Sequence, residues 1–145
     1  MLQQIYPSVN HSFVYELNKD LQFAAAHYIP SDLAGKCSRI HGHTYFMNVC
    51  IVGDVLDDTG FLVNFSDLKA LIHDRFDHKL INEDPLFNEE QGNIFPSTEV
   101  VARTAWTIIQ DYLDSLPNQP KCLQIFLRET PTSYVIYRPR IGDRS

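Results

Sequence analysis

The chain has 145 residues, of which 44% are hydrophobic and 21% charged, so it is long enough to bury a core and reads as neither disordered nor membrane-embedded. Its formal charge of -6 and pI near 5.4 exclude the basic stripe that meets a nucleic-acid backbone, although a few local cations or backbone amides would still suffice for a phosphorylated small molecule. No apolar run approaches the roughly 20 residues that span a bilayer, and the start Met1–Leu2–Gln3–Gln4 lacks the basic and apolar regions of a signal peptide, so a cytoplasmic protein is expected.

In chain order, the first element is a long strand from Phe13 to about His27, with Asn18–Lys19–Asp20 as a bend or bulge. A second strand, His43–Val52, is β-branched and aromatic throughout and ends at the turn pair Gly53–Asp54. From Ser66 to about Phe76, Leu68, Leu71, Ile72 and Phe76 make one buried helix stripe, with Asn64 or Ser66 as the cap. A loop follows from Asn82 to Phe95, holding Pro85 and Gly92. Pro96–Ser97–Thr98–Glu99 then opens a second helix that runs to about Leu113. Its apolar positions are Val101, Ala105, Ile108 and Tyr112, with Arg103, Gln110 and Asp111 on the other side. Beyond Pro117 and Pro120, Leu123, Ile125 and Leu127 alternate as one face of a strand, and Tyr134–Arg138 makes another. Neither a linker nor a repeat divides the chain, so residues 1–145 are expected to form one α+β domain.

Cys37, Cys50 and Cys122 are odd in number and lack a Cys-x-x-Cys spacing, which fits reduced thiols rather than disulfides or a thiolate zinc finger. Cys50 and Cys122 sit in apolar strand runs and read as packing residues. Cys37 differs, because it opens the run Cys37–Ser38–Arg39–Ile40–His41–Gly42–His43. On a strand, His41 and His43 project to the same side with α-carbons about 6.5 to 7 Å apart. Gly42 between them permits a close approach. His27 ends the neighbouring strand and offers a third nitrogen. Three imidazoles with a fourth position open describe a catalytic zinc site, whereas structural zinc takes four protein ligands. The same pattern also fits exposed polar strand positions. Cys37 either completes a closed site or stands beside the ion as a nucleophile or base. Asp77–His78 reads as a surface pair or as an acid orienting a ring. Strand parity puts Glu129 on the apolar side with Leu123, Ile125 and Leu127, where a carboxylate needs a partner that a ligand can supply.

With these residues collected, the chain resembles the 6-pyruvoyltetrahydropterin synthases and, more closely, the bacterial 6-carboxytetrahydropterin synthases of queuosine biosynthesis. The motifs are Phe23–Ala24–Ala25–Ala26–His27, the run Cys37 to His43, Gly60–Phe61–Leu62–Val63–Asn64–Phe65–Ser66–Asp67–Leu68–Lys69, Phe76–Asp77–His78–Lys79–Leu80–Ile81–Asn82, Pro96–Ser97–Thr98–Glu99 and Glu129–Thr130–Pro131–Thr132–Ser133. Their order and spacing cover roughly Phe13 to Arg138. The resemblance implies that His27, His41 and His43 ligate Zn2+ and that Cys37 accepts a proton. It makes Asp77 and His78 a relay working with that thiol, and Glu129 the acid that anchors the pterin ring. Thr98 and Glu99 match the segment lining the same pocket. Three residues between Cys37 and His41 resemble the carboxy-forming enzymes, since animal pyruvoyl-forming ones have a longer gap. Asn64 departs from the pattern, which commonly has Asp before the Phe.

The substrate implied is 7,8-dihydroneopterin triphosphate, and the products are 6-carboxy-5,6,7,8-tetrahydropterin, acetaldehyde and triphosphate. Lys36, Arg39 and Lys79 are candidate cations for the triphosphate. The fold implied is the tunnelling fold, a four-stranded antiparallel sheet with two helices on one face. Copies of it oligomerise into a barrel, here a homohexamer built as a dimer of trimers with active sites at subunit interfaces. Two alternatives accompany this reading: a pyruvoyl-forming synthase, and a non-catalytic zinc- or pterin-binding module on the same fold.

Overall fold

The computed structural model describes residues 6–88, 90 and 95–140. Its sheet has the strands β1 (Tyr15–His27), β2 (His41–Gly53), β3 (Lys79–Leu80), β4 (Lys121–Thr130) and β5 (Ser133–Tyr137), in the spatial order β3-β1-β2-β4-β5. The long strands pair antiparallel as expected, while β3 is a two-residue parallel addition beside Ala25 and Ala26 that hydrophobic patterning does not reveal. Two helices, α1 (Phe65–Phe76) and α2 (Thr98–Asp114), contribute their apolar stripes to one core with Phe23, Tyr45, Met47, Val49, Ile51, Ile125 and Leu127 of the sheet.

No bend interrupts β1 at residues 18–20. Asn18, Lys19 and Asp20 pair in register with Cys50, Val49 and Asn48, and the Asn48 side-chain amide donates to Asp20 Oδ1. A cross-strand polar pair thus stands where local composition reads as a turn. β2 begins two residues earlier than expected, at His41, opposite His27. The alternation in β4 is shifted by a bulge between its pairings with Cys50 and Ile51, which leaves Leu123 without a partner residue on β2. Cys122, not Leu123, therefore joins Ile125 and Leu127 in the core cluster.

The side-chain oxygen of Asn64 caps α1 by accepting from the Ser66 N–H, and Ser97 caps α2 by accepting from Val100 N–H. On α2 the expected apolar positions Val101, Ala105 and Ile108 are buried, and Tyr112 is partly so. Gln110, expected on the polar side, is also buried, because its amide oxygen accepts from Cys122 N–H and its amide nitrogen donates to Asp114. A helix stripe can include a polar residue when a strand end supplies a partner. Cys50 and Cys122 are buried free thiols, and burial, with Glu16 nearby, pushes the Cys50 thiol up to about 12. Residues 32–38, between β1 and β2, form two 3-10 turns broken by a kink at Gly35 (φ 59°), an arrangement apolar spacing does not reveal, and they carry Cys37. The expected loop from Asn82 to Phe95 is described only in part, with a short 3-10 turn at Ile81–Glu83. Its residues 89 and 91–94 lie outside the described ones.

Candidate metal centre and the residues around it

Period-two geometry carries the odd-numbered residues of β1 and β2 onto the helix-covered face. Leu21, Phe23, Ala25 and His27 follow one another along β1, and His41, His43, Tyr45 and Met47 along β2. Because His27 sits directly opposite His41 and Ala25 opposite His43, three imidazoles meet at one end of the core. One ligand-capable atom from each of His27, His41 and His43 lies within 4.8 Å of the others, a separation that one ion can bridge.

Backbone carbonyls orient two of the rings. His27 Nδ1 lies 2.7 Å from the Pro96 carbonyl and His41 Nδ1 lies 2.7 Å from the Arg39 carbonyl, so Nδ1 carries the hydrogen in each and Nε2 is left with a lone pair. The Nε2 atoms of His27 and His43 are buried and have no hydrogen-bond partner. Burial holds both rings below the usual imidazole range, against the opposing influences of the Pro96 carbonyl at His27 and of Glu129 at both, and so favours the neutral form that a metal requires. Orphaned nitrogens of this kind cost free energy unless something binds them, and a His-only donor set with an open position suits zinc.

Glu129 stands beside the cluster. Its Oε1 is 3.5 Å from His43 Nε2 and its Oε2 is 4.0 Å from His27 Nε2, while the Thr98 hydroxyl donates to Oε2. The acid expected on the apolar face is thus partnered by the first residue of α2. Glu99, next in the chain, is exposed on the same helix turn.

Asp77 and His78 form a second group. Asp77 follows α1, and its Oδ1 accepts from Ala24 N–H while its Oδ2 lies 2.7 Å from His78 Nδ1. The Ala24 amide, reinforced by His78, holds the Asp77 carboxyl below its ordinary range. His78 takes the left-handed backbone at φ 60°, with its own N–H donating to the Ala24 carbonyl, and its side chain is 83% exposed. His43 and His78 line the same shallow cavity of about 590 Å³ with Gly42, Thr44 and Lys79. Cys37 is exposed on its 3-10 turn and tied by its carbonyl to Ile29 N–H. No described hydrogen bond joins it to the histidines or to Asp77 and His78.

Three contributors to this region escape a reading of the sequence. Pro96 acts through its carbonyl, to which no side-chain pattern points. Tyr45 follows His43 by two residues, so parity alone would place it on the site's floor, where its buried hydroxyl has no partner. His73 precedes Asp77 by one helical turn, a legible i, i+4 spacing, and its Nε2 is 3.5 Å from Asp77 Oδ2.

Comparison with known proteins places these residues in context. The model of the family described as 6-pyruvoyl tetrahydropterin synthase matches residues 16–140. The 6-carboxy-5,6,7,8-tetrahydropterin synthase of Bacillus subtilis is 54% identical over 142 residues, covering 98% of this chain and 97% of the relative. The 6-pyruvoyl tetrahydrobiopterin synthase of Dictyostelium discoideum is 30% identical over 129 residues, covering 80% of this chain and 90% of the relative. Among solved structures, the 6-pyruvoyl tetrahydropterin synthase of Caenorhabditis elegans superposes with a TM-score of 0.66 at 24% identity, over 87% of this chain and 96% of that one. The Plasmodium falciparum protein of the same description gives 0.61 at 20% identity, over 90% and 100%. The fold is thus the tunnelling fold.

Proposed function

This chain belongs to the 6-pyruvoyl tetrahydropterin synthase family, and from that premise we propose that it converts 7,8-dihydroneopterin triphosphate and water to 6-carboxy-5,6,7,8-tetrahydropterin, acetaldehyde and triphosphate, a step of queuosine biosynthesis. The observation that carries the choice of reaction is the 54% identity to the Bacillus subtilis carboxy-forming relative over 98% of the chain.

His27, His41 and His43 would hold a zinc ion, which when bound supplies Lewis acidity toward side-chain oxygens of the pterin substrate. Glu129, with both carboxylate oxygens at the cluster, accepts paired hydrogen bonds from the 2-amino group and ring nitrogen of the pterin, and the Thr98 hydroxyl fixes its rotamer. Cys37, as the thiolate, takes the proton from the side-chain carbon bearing the hydroxyl. His78 presents Nε2 for proton return, because Asp77 occupies its Nδ1 at 2.7 Å. Glu99 is assigned with Thr98 to the segment lining the pterin pocket, and the cations Lys36, Arg39 and Lys79 to its outer, polyanion-binding part. The pterin ring gains the electrons that the side chain loses, so no redox cofactor takes part.

The reading includes a single domain, a homohexamer built as a dimer of trimers and a cytoplasmic location. Three free thiols fit a reducing compartment, and no helix among the described residues is long and apolar enough to cross a membrane. Two observations favour active sites shared between copies. Cys37 and the ring of His78 both face solvent in one copy, and no described contact joins them.

The test is to load the purified protein with zinc, supply 7,8-dihydroneopterin triphosphate and identify the products by mass. Acetaldehyde and the carboxylated tetrahydropterin are expected. A pyruvoyl product without acetaldehyde would replace this reaction with that of the Dictyostelium discoideum relative, and zinc binding without turnover would make the chain a binding module.

A further inference from the structure

We propose that His73 is a positioning residue that acts through Asp77 on His78, so that one carboxylate answers to two imidazoles. The inference rests on the relay reading of Asp77 and His78 given above. His73 lies in the last turn of α1. Its Nδ1 donates to the Gln22 carbonyl of β1, which fixes the ring and turns Nε2 toward Asp77 Oδ2 at 3.5 Å. The same Oδ2 accepts from His78 Nδ1 at 2.7 Å, and Oδ1 is engaged by Ala24 N–H.

The tautomer decides what this contact means. With Nδ1 carrying the hydrogen, a neutral His73 points a bare Nε2 lone pair at the carboxylate, which is unfavourable. Only the imidazolium places a proton between Nε2 and Oδ2. Protonated His73 therefore draws on the carboxylate that orients His78, and it sets a like charge within the reach of one shared oxygen. The charge on His73 regulates how firmly Asp77 holds the His78 proton, and so how readily His78 returns it. The surrounding cavity is lined by Lys19 and Asp20 of β1 and Lys69 of α1. Lys19 packs over the Phe65 ring, and Asp20 is engaged by Tyr6 and Asn48. These groups are common to the wild type and to the variants below.

The discriminating variant is His73→Asn, whose side-chain amide nitrogen falls where Nδ1 was and keeps the bond to Gln22 while removing Nε2. Histidine-ring NMR of the zinc-loaded protein, followed through pH, should show the His78 resonance reaching its midpoint at higher pH in His73→Asn than in wild type, because the like charge beside the shared oxygen is gone. The pH–rate profile of product formation should move in the same direction, with KM unchanged. An unmoved His78 midpoint would overturn the inference and leave His73 as a tie between α1 and β1. A check that needs no variant is the wild-type His78 signal, which should inflect a second time where the His73 signal moves. A single inflection there would also refute the coupling. Failure of the relay reading itself looks different: Asp77→Asn would then leave turnover intact, whatever the resonances do.

Discussion

A histidine serves as a ligand when one ring nitrogen is held by the protein and the other is left bare, and His27 meets both conditions through Pro96 and its orphaned Nε2. Removing one of three such nitrogens should be more damaging than removing an outer partner, which already costs roughly 10–100-fold in metal affinity. His43→Ala is accordingly expected to lose more than about 100-fold in zinc affinity, read by competition with a chromophoric chelator, while its circular dichroism stays close to wild type. Cys37→Ala should behave oppositely, binding zinc as the wild type does but losing product formation. Normal turnover in Cys37→Ala would remove the thiol from the chemistry. Much of this site was legible in the sequence because period two is strict on a strand: once His41 and His43 are read as strand residues, they must share a face. The Pro96 carbonyl was not legible, since it arrives from 69 residues away and belongs to the backbone.

Among the elements, α2 connects packing to chemistry. Its cap Ser97, its first residue Thr98 and the preceding Pro96 carbonyl lie within three residues, so the start of the helix sets the positions of Glu129 and His27 together. Ser97→Ala removes the hydroxyl that accepts from Val100 N–H and should cost about 1 kcal/mol in urea unfolding. On α1, Arg75 makes two hydrogen bonds, at 2.7 and 2.8 Å, to Asp84. Burial alone would raise the Asp84 carboxyl, but those bonds and the Arg75 charge outweigh it and hold the acid below its ordinary range. A depressed folded value means the pair stabilises above the unfolded carboxylate range, near 4, and fades as pH falls through the lower folded value. Asp84→Asn should therefore be less stable than wild type by about 1 to 3 kcal/mol at pH 7, with the gap closing below pH about 4. A gap independent of pH would assign the loss to packing. Helix limits followed from apolar spacing and capping residues. The straight course of β1 did not, because its polar centre is satisfied by Asn48 on a strand 28 residues later. The Leu123 bulge was likewise hidden, since a one-residue insertion reverses parity without changing composition.

For the whole molecule, the sheet ends decide what else is needed. Among the described residues, β5 pairs with β4 alone, and the outer edge of β1 meets a strand at Ala25 and Ala26 and the side chains or backbone of His73, Asp77 and His78 at Gln22 and Ala24, so the sheet is not closed on either side by a further long strand. Closing such edges against further copies removes the hazard. Light scattering should give about six times the 16.7 kDa subunit mass; a 16.7 kDa particle at micromolar concentration would contradict the assembly. The proposal that each site is shared between copies has a sharper consequence. Cys37→Ala and His78→Gln should each be inactive alone, yet dissociating and reassembling an equal mixture creates sites with an intact thiol from one copy and an intact imidazole from its neighbour. Random assembly then restores about a quarter of wild-type activity, because each of the two contributing copies is of the needed kind half the time. Recovery requires that Cys37 and His78 of one site come from different chains. A mixture as inactive as its components, at wild-type mass, would place both residues of each site in one copy.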